Sequence, residues 1–380
     1  MKRLLVRLGL FSVFLIALPP VGVFFSGQPL DLYYGYPPLT RLGDPAPFSP
    51  AVYALALLPL LVFLLFVGWL LLRARVKDTS RETGRGFPGW GWSGLLLTAL
   101  GLVAGWHPDT GLDAWRWAAP MLQWAGVLLL INALTRMRSG HCLLTDQPGY
   151  LGILALGGLL LGWLLETLNR FTQSGYFEDL AAFSLLQYLL MISTSSALLL
   201  PVVMSLRLWL ASFPRLLAAT GQGPESSLRG DPAMGWTLLA LSTLGLIYVA
   251  VWPDQLFILA LLAPFMILTG FQLVLRERTL FAGLARGDWT RVILPALAGL
   301  LYGLLSAVFN TAGEPRWHYT LPWLQGGELL GVPVPAYTGF LLLGLVCMQL
   351  AELLAKPLHG RPRYGSGSPY RKLDIPIKVE

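Results

Sequence analysis

Ala155–Asn169 reads ALGGLLLGWLLETLN, and Ala296–Asn310 reads ALAGLLYGLLSAVFN. Eight of the fifteen positions are identical. Leucine-rich segments match by chance, so the weight falls on Gly158/Gly299, Gly162/Gly303 and Asn169/Asn310. A second pair lies upstream of each: GWSGLLLTALGLV from Gly91 and GWTLLALSTLGLI from Gly235 share seven of thirteen positions. The two pairs occur in the same order at nearly the same offset. Such self-similarity marks an internal repeat.

Composition says what kind of segment is repeated. Of 380 residues, 55% are hydrophobic and 12% charged, against roughly 25% charged in a soluble domain. Continuous apolar runs of about 20 residues recur, the length that crosses a ~30 Å hydrocarbon core. Strands are excluded, because these runs are too long and do not alternate. The fold class is therefore all-α and polytopic, with about ten transmembrane helices. They run near 8–25, 51–72, 91–106, 118–134, 150–169, 183–206, 234–251, 256–275, 292–311 and 337–355. The first, with Lys2, Arg3 and Arg7 before it, resembles a signal peptide. Ala17-Leu18-Pro19 is a poor cleavage site, however, and the apolar run continues to Phe25, so it is read as a span.

Charge orients the helices. With the N-terminus in the cytoplasm, 23 of the 27 Lys and Arg fall in alternate, inner segments. Only Arg41, Arg116, Arg170 and Arg316 fall outside. The positive-inside rule thus predicts cytoplasmic termini. It also accounts for the +7 net charge without a nucleic-acid partner. An even number of helices separates the two copies, so they are parallel, related by an axis along the membrane normal. Four units result: residues 1–90, a transmembrane hairpin with a periplasmic loop and cytoplasmic linker; 91–233 and 234–358, the two four-helix repeats; and 359–380, a basic cytoplasmic tail. The Tyr- and Pro-rich outer loop of the hairpin either caps the outer face or is an ordered interfacial loop.

Gly158, Gly162, Glu166 and Asn169 lie on one helix face. Glycines four apart admit a close neighbour, so this face meets protein. An ionisable group on such a face is a functional candidate by default. The alternative is an interfacial glutamate paired with Arg170. Glu166, His107 and Asp109 are the candidate catalytic residues. Asn169, Asn310, Trp106, Trp163, Trp317, His318 and Tyr319 are candidate substrate-binding residues, all at the outer ends of helices. Taken singly, the aromatics also fit an interfacial belt. No H-x-x-x-H or H-E-x-x-H occurs, so no metal site is expected. No P-loop, dinucleotide fingerprint, C-x-x-C or haem motif occurs either, and no cofactor is identified. Cys142 and Cys347 lie at levels too different for a disulfide. Glu352 is read as structural, four residues before Lys356.

Trp163, Glu166 and Asn169, followed by Gly303, Asn310, Trp317, Tyr319, Pro322, Gly339 and Phe340, resemble a family of bacterial polytopic membrane proteins. That family carries repeated Glu-x-x-Asn helix ends followed by Trp-x-Tyr. Here Ser306 and Ala307 stand where the second Trp-Glu would be. The resemblance implies a bacterial inner membrane and supplies no activity. Three functions stay open. The first is a periplasm-facing intramembrane site that binds or modifies a lipid or isoprenoid-like molecule. The second is a membrane anchor or quinone-binding subunit of a larger complex. The third is a transporter built from the two repeats. The bilayer is the one partner common to all three.

Overall fold

Long apolar runs dictate helices, because a backbone in hydrocarbon must satisfy its own hydrogen bonds. The computed structural model describes residues 2–38, 43–75, 86–106, 113–178, 180–226 and 230–355. Ten apolar helices form its body. They are α1 Lys2–Ser26, α2 Pro50–Arg73, α3 Gly89–Trp106, α4 Ala119–Ser139 and α5 Pro148–Thr172. Then come α6 Leu185–Ala211, α7 Pro232–Tyr248, α8 Pro253–Val274, α9 Thr290–Asn310 and α10 Tyr337–Ala355. Among the described residues, eight helices are long and apolar enough to cross a membrane. The others are α3 and α7, of 18 and 17 residues. At 1.5 Å per residue the 17 residues of α7 reach about 26 Å, short of a ~30 Å core, whereas α3 has the length of a minimal span.

Local chemistry sets the helix ends. Proline opens α2, α5, α7 and α8, where its missing N–H costs nothing. Ser184 and Gln187 form a capping box on α6, and Asp231 accepts from Met234 N at the start of α7. Gly140 ends α4 in the left-handed region, φ 76°.

The closest neighbours are α3 with α4, α5 with α6, α7 with α8, and α9 with α10. In addition α4 packs on α6, and α8 on α10. Across the halves α6 meets α9, and α5 meets α10. Glycines allow close approach at two of these contacts. A Cβ on Gly158 would lie 2.6 Å from the Ser196 carbonyl oxygen of α6. One on Gly299 would lie 2.6 Å from Gly344 N of α10.

The leading pair does not pack as a hairpin. Among the described residues α1 packs chiefly on α7, α5 and α8. α2 packs chiefly on α10 and the short helix Pro214–Thr220. The described parts of the linker between them touch the bundle end at two separate places, the first of them a strap of residues 33–36. Arg170 Nη1 donates to the carbonyls of Tyr33 and Gly35, at 3.2 and 3.3 Å, beside α5. Further along, Ala46 N donates to Asp254 at the start of α8, and Ser49 N to the Trp323 carbonyl.

Arginines collect at the other end, where α1 begins. Arg7 forks onto Glu277 after α8, Arg291 at the start of α9 holds Glu352 of α10, and Arg207 of α6 is fully buried. These arginines make this the basic end of the bundle. Glu352 thus takes an arginine from a neighbouring helix, whereas its expected partner Lys356 lies outside the described residues. Both cysteines are free.

Candidate functional site

Glu166 occupies the last turns of α5, at the end opposite the arginines. Its side chain is 11% exposed. Oε1 accepts from the phenol of Tyr188, in the first turn of α6, at 2.6 Å. Arg170, one turn on, brings Nε to 3.9 Å and is itself 13% exposed. Its Nη2 reaches the same phenol at 3.3 Å. A carboxylate, a phenol and a guanidinium therefore share one point, and the guanidinium also holds the strap. Oε2 of Glu166 takes no hydrogen bond among the described residues, so an acceptor stays open.

Aromatic rings wall this cluster. Tyr36 of the strap lies 5.4 Å from the Tyr188 ring and donates its hydroxyl to the Phe183 carbonyl at 2.6 Å. Desolvation raises the Tyr36 phenol above its usual range, which keeps it a hydrogen-bond donor. Trp163 stands edge-on to Tyr188 at 6.4 Å and donates to Ser193 Oγ at 3.1 Å. Phe177 and Phe183 complete the wall. On the neighbouring turns of α6, Leu185, Leu186, Leu189 and Leu190 are exposed. The polar cluster thus borders an apolar helix surface.

The asparagines bond to backbone and hydroxyl groups of the chain just beyond their helices. Asn169 Nδ2 donates to the Gly175 carbonyl at 2.9 Å, and its Oδ1 accepts from Ser174 Oγ at 2.8 Å. Asn310 Nδ2 donates to the Trp317 carbonyl at 2.8 Å, and its Oδ1 accepts from Trp317 N at 2.7 Å. Each amide fastens the chain that leaves its helix. The fastened segments, β1 Gly175–Phe177 and β2 Trp317–Tyr319, pair antiparallel. Each amide spends one N–H and one carbonyl lone pair on this ribbon.

Trp317, His318 and Tyr319 are β2 itself. Trp317 packs edge-on against Phe177 at 4.8 Å, which joins the ribbon to the wall around Tyr188. His318 stacks on Tyr176 at 5.6 Å and meets Glu178 through Nε2 at 2.6 Å. Burial raises the Tyr319 phenol. Trp106 lies elsewhere, its Nε1 donating to the Phe309 carbonyl at 3.0 Å and fastening α3 to the last turn of α9. Trp106→Phe should cost about 1 kcal/mol, the net worth of one hydrogen bond, read as a small drop in melting temperature in detergent. His107 and Asp109 lie outside the described residues. Among those described, no cluster of His, Cys, Asp and Glu could hold a metal.

Of the expected residues, Trp163 and Glu166 converge directly, and Trp317 joins them through Phe177. Tyr188 and the strap carbonyls were not legible beforehand. Tyr188 is a lone tyrosine in LLQYLLM, 22 residues from Glu166, and no periodicity links the two. Ala307, which aligns with Glu166, lies in an apolar cluster with Val332, Tyr337 and Leu341. The polar cluster therefore occurs on one side only. No family model, curated protein or solved structure matches the chain.

Proposed function

We propose that this integral membrane protein binds or modifies a lipid or isoprenoid-like molecule at Glu166, from the periplasmic side of a bacterial inner membrane. The observation that carries the reading is the open Oε2 of Glu166, whose side chain is 11% exposed, walled by aromatics beside an apolar helix surface. A ligand hydroxyl or N–H would donate to that oxygen, while its chain would lie along the exposed leucines of α6. Tyr188 and Arg170 hold the carboxylate in place. The phenol–carboxylate hydrogen bond is also a route for a proton if the ligand is modified.

In this reading ten helices cross the membrane and both termini are cytoplasmic. α3–α6 and α7–α10 are like-oriented copies about an axis along the membrane normal. Supporting the copies is the ribbon register. Gly175 pairs with Tyr319, Tyr176 with His318, and Phe177 with Trp317. If Gly175 matches Trp317, as the two asparagine clamps indicate, Tyr176 pairs with its own counterpart, and a two-fold axis runs through the ribbon centre. Supporting the short spans α3 and α7 is the alternation of Arg-rich and Arg-poor ends, which needs both.

Native mass spectrometry of gently purified protein tests the site. A bound lipid or isoprenoid is expected, with retention reduced roughly tenfold in Glu166→Gln, the worth of one charge-assisted hydrogen bond. Undiminished retention in that variant removes Glu166 from the site. Hydrogen exchange over residues 31–36 separates ligand loss from a loosened strap.

A further inference from the structure

Three helices end together at the basic end: α2 at Arg73, α4 at Ser139 and α6 at Ala211. The turn after α6 leads into the short helix Pro214–Thr220, which packs against α2. An open groove of about 300 Å3 lies where they meet. Its floor is apolar, formed by Leu71, Trp209, Leu210, Phe213 and Leu216, and Arg215 stands at its edge. Trp209 is edge-on to Phe213 at 5.1 Å. Next to Leu71, Leu72 is exposed, and Leu65 and Leu61 continue the same exposed side of α2.

Three arginines surround this floor. Arg215 donates through Nε and Nη2 to the Leu71 carbonyl, at 3.2 and 3.1 Å. Arg138 of α4 donates through Nε to Ser212 Oγ at 3.0 Å and lies over the Phe213 ring at 3.9 Å. Arg73 lies over the Trp69 ring at 4.7 Å. All three are exposed. Carbonyls, a hydroxyl and ring faces fix them in place, and all of these are neutral. Among the described residues none of the three takes a carboxylate, in contrast to Arg7, Arg136 and Arg291. A guanidinium carries five N–H donors, so Arg138 and Arg215 keep donors beyond those spent on the protein.

Charge narrows the occupant. An acyl chain alone has no use for three cations. A zwitterionic head group would bring its ammonium among like charges, with no carboxylate to receive it. A phosphate without an ammonium suits the groove, because guanidiniums bind phosphate oxygens in forks. We propose that this groove holds an anionic phospholipid. Its phosphate lies on Arg138 and Arg215, Arg73 adds a third positive charge, and its acyl chain runs over Trp209 and Leu216 toward the exposed side of α2. Basic sites between helix ends recognise anionic head groups in this way. The groove is at the opposite end of the bundle from Glu166 and does not depend on that site.

The test is native mass spectrometry of the full chain titrated with phosphatidylglycerol, phosphatidylethanolamine and phosphatidylcholine of identical acyl chains. Retention of the glycerol lipid roughly tenfold over the other two is expected. Arg138→Gln and Arg215→Gln should each lower that ratio severalfold. The ratio is read within one protein sample, so a partial folding loss cancels. Arg276→Gln removes an exposed arginine just after α8, outside the groove, and should leave the ratio unchanged. Equal retention of the three lipids overturns the proposal, as does an unchanged ratio in the two groove variants. An equal fall in all three variants marks diffuse attraction to net charge and overturns it too. A severalfold gain in glycerol-lipid retention in the double variant Asp78→Asn, Glu82→Gln assigns the arginines to the chain's own carboxylates, which also overturns it.

Discussion

Gly344→Ala should lower stability by about 3 kcal/mol, the upper part of the range for overpacking a close-packed contact. A Cβ on Gly344 would overlap the Pro295 carbonyl oxygen of α9 and lie 3.0 Å from Gly299 N. These are backbone atoms, so no rotamer change relieves the overlap. The helices must separate, which breaks the α9–α10 contact along its length. In lipid that contact rests on packing rather than on a hydrophobic drive, so a lost close approach has little to replace it. The melting temperature in detergent should fall by several degrees. Gly152→Ala is the matched control. Nothing lies within 4 Å of its Cβ position, and alanine favours a helix over glycine by up to about 1 kcal/mol. It should melt at or above the wild type. A Gly344→Ala protein as stable as the wild type would refute the packing assignment.

Asn310→Ala should cost about 2–4 kcal/mol, because two backbone groups of Trp317 lose their partner at once. The loss should spread through the ribbon. Gly175–Phe177 pairs with Trp317–Tyr319, and Thr320 N donates to the Ser174 carbonyl at 2.9 Å. Faster hydrogen exchange is expected over 174–178 and 316–320 together, although only the second segment carries the substitution. Asn310→Asp keeps an acceptor for Trp317 N and loses the donor to its carbonyl, so its effect should be intermediate. Acceleration confined to 316–320 would show that the ribbon does not couple the two segments.

These two cases show what could be seen in advance. The close approach at Gly299 was legible, because small residues four apart on an apolar helix name the face that meets a neighbour. Its partner Gly344 was not, since nothing in α9 says which helix arrives. Asn169 and Asn310 were legible as equivalent polar ends. Their role was not, because a ligand and a departing backbone ask the same thing of an amide. Glu166 stood out as a charge in an apolar run, and its pairing with Arg170 follows from helical spacing. Tyr188, on another helix, carries no local signal of the contact.

The arginines of the groove show the same limit. Arg73, Arg138 and Arg215 look like ordinary inner charges near helix ends. Their convergence on one groove depends on α2, α4 and α6 ending together, with Arg215 bonded to Leu71.

What the sequence by itself determined is the set of helices, their order, and the segregation of arginine between alternate segments. Hydrocarbon demands length, apolarity and internal hydrogen bonding from each span separately, and those demands are written locally. What only the tertiary structure decided is which faces meet. It set α1 and α2 on separate flanks, drew Tyr33 and Gly35 over Arg170, tied both asparagines to one ribbon, and closed Tyr188 onto Glu166. Those outcomes depend on shape complementarity between segments far apart in the chain, and no periodicity within one segment encodes its partner.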